Sequence, residues 1–182
     1  MDPGYKMICC LPVKLPEIQF TTDEKRLIRT SWAELSGNYE TISKEVFLDI
    51  YKTYPEIGKP FKLTRGELDD DANHAFKYHA RHQFKFLDEI VSVIDNGHKI
   101  KALAADLGWK HYLKHVKPEY VSYVKPRVLS AFSTNLTDWS PEHEEAWDKL
   151  LEYILLKIKI AIVLEERGQG KLNANDKRGK KR

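Results

Sequence analysis

Apolar positions recur every three or four residues along most of the chain, beginning just after Thr21. Leu27, Ile28, Trp32 and Leu35 follow Thr21-Thr22-Asp23-Glu24, where a hydroxyl precedes a carboxylate by three residues, the signature of a capped helix start. Gly37 and Asn38 break this helix, and Ile42, Val46, Phe47, Ile50 and Tyr51 predict a second one that stops at Pro55. A corner rich in proline, glycine and acid follows, in which Phe61 is the one large apolar residue without a helical neighbourhood. Phe76, His79, Ala80, Phe84, Leu87, Ile90, Val91 and Ile94 then predict a long helix over 71–95, ended by Asn96-Gly97. A shorter helix is expected over 99–111. Pro118 opens the next, whose stripe is Val121, Val124, Val128, Leu129 and Phe132, with Pro126 predicted to kink it. Ser140-Pro141-Glu142 starts a last helix through Trp147, Leu150, Leu151, Ile154, Leu155, Ile158 and Ile162 to about Glu166, where Gly168 and Gly170 are expected to release it. No strand-like alternation of useful length interrupts this pattern. The fold class is therefore all-α, with six to eight helices packed ridge into groove.

Composition narrows this further. The 182 residues are 42% hydrophobic and 31% charged, which suits one soluble domain, placed at 21–166 between an N-terminal extension, 1–20, and a basic C-terminal tail, 167–182. The net charge of +3 resides largely in that tail, so the folded part is near neutral and a nucleic-acid module is disfavoured. No apolar run reaches the roughly 18 to 20 residues of a membrane span. Cys9 and Cys10 are adjacent and cannot staple distant segments; with no secretory leader in view, a cytoplasmic setting is expected. The same pair is a candidate for lipidation, and the basic tail for contact with an anionic membrane surface. No nucleophile elbow, phosphate loop or cysteine-rich metal spacing is present, and no enzyme with a protein-borne catalytic group is expected.

The chemistry is carried by histidines. His79 and His82 lie on one face of the long helix, and His111 ends the helix after it, so an imidazole from each helix is able to face a shared cavity or simply sit at the surface. Several landmarks, in order, resemble the globin family over about Thr21 to Leu164. They are Trp32 in the first helix, Pro55 with Phe61 six residues on, the Leu107-Gly108-Trp109-Lys110-His111 approach, Val116 and Tyr120 after it, and Trp147 in the last helix. The match is most similar to neuroglobin-like and invertebrate, nematode-type globins with terminal extensions.

That resemblance implies a globin fold around a haem b pocket, with His111 as proximal iron ligand. It implies His79 as distal residue, with His82 as the runner-up, because His79-Ala80 places a small residue where helices cross. Gln83 then falls on the haem-facing stripe, where an apolar residue is usual. Phe47 and Phe61 are expected to wall the pocket, Leu107, Val116 and Tyr120 to line it, and His115 to contact a propionate. The expected function is a bis-histidyl, six-coordinate globin acting in electron transfer or in redox or gas sensing, with a diatomic gas or a redox protein as partner. A reversible dioxygen store with an open sixth site is the alternative, and a haem-free helical interaction or sensor module is the alternative of another class. Oligomeric state is not legible.

Overall fold

The computed structural model describes residues 17–61 and 74–179, with side chains for 17–58 and 77–168. Among the described residues there are six α-helices and no strand: α1 (Thr22–Leu35), α2 (Tyr39–Thr53), α3 (His74–Ser92), α4 (Gly97–Leu113), α5 (Val124–Asn135) and α6 (Pro141–Gly179). Short 3-10 segments precede α2, follow it from Pro55 to Phe61, and lead into α5 from Pro118 to Tyr123. Six helices stand at the foot of the expected range.

Local chemistry accounts for the helix starts. The Thr21 hydroxyl accepts from the Glu24 N–H at 3.1 Å, while the Glu24 carboxylate accepts from the Thr21 N–H at 2.7 Å, so two otherwise unpaired donors are satisfied reciprocally. Asn96 caps α4 through its side-chain oxygen, which accepts from the Lys99 N–H at 3.0 Å. The Gly97 that was expected to sit between helices is the first residue of α4 instead. A Cβ there would lie 3.0 Å from the Ile18 carbonyl oxygen, so glycine admits the incoming N-terminal segment. Ile18 and Phe20 pack against the core, and ordered contacts thus begin ahead of Thr21.

Two proline and glycine expectations are corrected. Pro126 causes no mid-helix kink, because a 3-10 segment carries the chain to Tyr123 and Pro126 falls in the first turn of α5, where its missing N–H costs nothing. Nor do Gly168 and Gly170 end the last helix near Glu166: α6 continues to Gly179. Each interior glycine costs only about 1 kcal/mol against alanine, too little to stop an established helix by itself.

The core holds an aromatic cluster at the junction of α1, α3, α5 and α6. Trp32 stacks on Phe84 with ring centroids 5.4 Å apart, and Phe132 meets Trp147 edge to face at 4.8 Å. Both indole N–H groups find acceptors: Trp32 donates to Asp88 at 2.9 Å, and Trp147 to the buried Ser31 hydroxyl at 2.8 Å. None of these four rings lines the cavity, which lies against α2, α3, α4 and α6 instead.

Candidate functional site

A cavity of about 160 Å³ lies between α3 and α4, roofed by α2 and backed by α6. Its walls are almost wholly aliphatic and aromatic, including Phe47 and Ile50 of α2, Phe86 and Leu87 of α3, and Ile154, Leu155 and Ile158 of α6. The polar exceptions on α3 and α4 are three histidines and one glutamine: His79, His82, His111 and Gln83. An apolar slot with a few convergent polar groups is the usual form of a cofactor site.

His111 is held from three directions. Its Nδ1 lies 2.8 Å from the Leu107 carbonyl oxygen, and since a carbonyl only accepts, Nδ1 carries the proton and donates. Nε2 then presents a lone pair, the form of imidazole that binds a metal. The backbone behind it is closed by a Schellman arrangement: the Val116 N–H donates to the His111 carbonyl at 3.1 Å and the His115 N–H to the Tyr112 carbonyl at 2.9 Å. The left-handed position of that motif, usually glycine, is His115 at φ 56°. Finally, α4 lies on α6 at Gly108, where a Cβ would come within 2.6 Å of both the Ala161 Cβ and the Ile158 carbonyl oxygen. Only glycine allows that approach.

Across the cavity, the His79 ring centroid is 6.3 Å from that of His111 with the planes 68° apart. The Phe47 and His79 rings meet edge to face, with centroids 4.5 Å apart and planes 72° apart. Burial pushes the His79 imidazole down to about 3, with smaller contributions from His111 and His82. Burial also lowers His111, against the opposing pull of its bond to Leu107. Both rings are neutral at physiological pH. Behind His79 the expected close crossing is present: Ala80 is buried, and the Ser43 hydroxyl of α2 donates to its carbonyl.

His82 has different surroundings. It stands exposed at the cavity mouth, its Nδ1–H donating to the Tyr78 carbonyl at 2.7 Å and its ring stacked on Tyr78 at 3.8 Å. Gln83 reaches inward, and its Oε1 is buried with no hydrogen-bond partner among the described residues. Leu107, Val116 and Tyr120 line the cavity as expected. His115 is exposed at the corner and is not among the lining residues. Phe61 closes the 3-10 segment, but its side chain lies outside the described residues, as do Cys9, Cys10 and the terminal basic run. Sequence reading missed the α6 wall of Ile154, Leu155 and Ile158, together with Ile50 and Ile57. The α6 stripe was visible, but nothing in it distinguished core-facing from cavity-facing positions.

The residues fit an iron porphyrin. The slot is apolar, both imidazoles are neutral, and two metal–imidazole bonds of about 2 Å each bring ring centroids to about 6 Å when one ion lies between them. Known proteins agree. The globin family model matches residues 44–158, and the chain belongs to the globin family. Membership implies a haem cofactor. Among curated relatives, an anaerobic nitrite reductase of Casuarina glauca is 26% identical over 149 residues, 77% of this chain and 93% of that protein. A globin of Chironomus thummi thummi is 26% identical over 139 residues, 72% of this chain and 82% of its own length. Similar solved structures include a hexacoordinated heme protein from an anhydrobiotic tardigrade, with TM-score 0.69, 18% identity, and coverage of 79% of this chain and 95% of that one. The neuroglobin of the acoel Symsagittifera roscoffensis gives TM-score 0.64 at 22% identity, over 78% and 98%. At these identities the structures speak for the fold alone. No helix among the described residues is long and apolar enough to cross a membrane.

Proposed function

We propose that the protein binds haem b between His111 and His79 as a six-coordinate, bis-histidyl globin, and acts in electron transfer or in redox or gas sensing. The observation carrying this reading is the pair of neutral imidazoles 6.3 Å apart across an apolar slot. Haem supplies an iron that changes oxidation state and offers a sixth position. The chain does the rest: Leu107 orients His111 by accepting its Nδ1 proton, Phe47 confines the His79 ring, and the aliphatic wall of α6 excludes water. His79 controls access, because an external ligand has to displace it, and apparent affinity scales with the fraction of time the site is open. The named activity of the Casuarina relative, an anaerobic nitrite reductase, supports a redox direction. In this reading a redox protein or a diatomic gas is the partner.

Reversible dioxygen storage is the second reading, favoured by the apolar slot that keeps water from the site; the deoxy hemoglobin of Mustelus griseus shares the fold, with TM-score 0.68 and 21% identity over 79% of this chain and 99% of that one. Visible spectra separate the readings. After hemin titration and dithionite reduction, the six-coordinate reading predicts sharp paired bands without added ligand, and a single broad band would favour the open site. If no Soret band develops, the chain is a haem-free module. His79→Leu is expected to leave the reduced protein five-coordinate and His82→Leu to leave it unchanged; the reverse result would transfer the distal role to His82.

A further inference from the structure

Lys157 on α6 is only 6% exposed, yet it makes no hydrogen bond or ion pair among the described residues. Lysine is rarely buried this far without a partner. Its Nζ lies 4.9 Å from the centre of the Tyr153 ring. Burial, and after it the Lys101 ammonium on α4, pull Lys157 below the ordinary lysine range. The ring face offsets part of the desolvation, but it leaves the ammonium without a hydrogen-bond acceptor.

The surroundings place this ammonium beside the start of α4. The Tyr153 oxygen lies by the Ile18 N–H and near the Glu17 carboxylate, and Glu17 and Ile18 both abut Gly97. From there α4 continues with His98, Lys99 and Lys101 and has no acidic residue in its first turn. A helix N-terminus favours negative charge, so this basic run is set against the field of its own helix. Glu17 does not relieve it at Lys101 or Lys157, because its carboxylate is paired with His98 at 2.9 Å. Lys101 is exposed and, like Lys157, makes no ion pair among the described residues.

We propose that Lys157 and Lys101 bind a small tetrahedral oxyanion of the phosphate class where the first turns of α4 meet α6. The site is separate from the cavity and does not depend on the haem reading. Both ammoniums donate charge-assisted hydrogen bonds to the one anion, and the positive end of α4 adds its field. Their mutual repulsion becomes a shared attraction. Were packing the only purpose of Lys157, an apolar chain of similar length would fill the space with no ammonium to desolvate. Its depth sets the size of the ligand: a free anion reaches a side chain so nearly covered, and a flat array of lipid headgroups does not.

The test titrates the full, hemin-loaded chain with inorganic phosphate at constant ionic strength, read by isothermal calorimetry and phosphorus NMR. Saturable binding to a single site is expected. It should weaken about tenfold in Lys101→Gln and vanish in Lys157→Met, with helical circular dichroism unchanged in both, while Lys85→Gln, on the exposed side of α3, binds as the unmodified protein does. Lys101 is exposed, so Lys101→Gln decides the matter even if Lys157→Met fails to fold. Absence of saturable binding, or equal binding by the unmodified protein and Lys101→Gln, would overturn the site. Attachment to vesicles containing phosphatidic acid, with no affinity for inorganic phosphate, would overturn it in favour of a membrane surface. A chain that takes up no hemin would overturn the haem reading alone, and its phosphate titration would still decide this one.

Discussion

The two sides of the cavity are built differently. On the α4 side, three independent constraints converge on His111: an acceptor for its Nδ1, a closed helix terminus at its own carbonyl, and a glycine contact that seats its helix on α6. On the α3 side, His79 packs edge to face with Phe47, and one turn further Gln83 holds a buried oxygen without a partner among the described residues. An unsatisfied buried acceptor costs about 1–3 kcal/mol, so the distal wall carries an unmet demand that the proximal wall does not. In the proposed bis-histidyl reading, that unmet demand lies on the side where an external ligand would enter.

The largest way to break this contrast is at Gly108. Gly108→Ala forces a methyl group against the Ile158 backbone, and should cost about 1–3 kcal/mol in urea unfolding and weaken hemin retention by displacing His111. Unchanged hemin affinity would mean that the α4–α6 contact does not position the ligand. Acid comes next. In the haem-free protein His79 and His111 stay neutral when folded, whereas each titrates near 6.5 when unfolded. The unfolded chain therefore takes up protons that the folded chain refuses, so this contribution to stability is complete above about pH 6.5 and declines as pH falls towards 3. Urea midpoints at pH 7.5 and 5 should show the decline, and His79→Phe should flatten it.

Much of this was legible beforehand, and the reasons differ by region. Trp32, Phe47, Leu107 and His111 occupy their expected positions because helical periodicity and the order of landmarks constrain them together. The choice between His79 and His82 was harder, because both share one face of α3. The crossing at Ala80 separates them, setting His79 towards the cavity and leaving His82 against Tyr78 at the mouth. Pro126 and the α6 glycines misled because a residue's meaning depends on where the helix starts and how strongly its neighbours propagate it. The cavity-facing side of α6 was not readable at all. Its stripe is apolar towards both the aromatic core and the slot, and only the packing angle separates Ile154 and Ile158 from Trp147 and Leu150.

Two smaller changes sharpen the comparison. Gln83→Leu replaces the unpartnered amide with an apolar side chain and should raise the stability of the haem-free fold by about 1 kcal/mol in urea unfolding. A loss of stability would mean that the amide is satisfied after all. His115→Gly relieves a left-handed backbone that costs a side-chain-bearing residue about 1 kcal/mol, so a gain of that order or less is expected in thermal unfolding. Hemin loss that accelerates despite the gain would assign His115 the propionate contact.

Carbon monoxide binding to the reduced protein tests the proposed coordination by His79 most directly. If His79 occupies the sixth position and must leave first, the observed rate in stopped flow rises with carbon monoxide concentration and then saturates. In His79→Leu it should increase linearly over the same range, with hemin still bound through His111. Linear kinetics in the unmodified protein, or saturation that persists in His79→Leu, would contradict His79 as the sixth ligand.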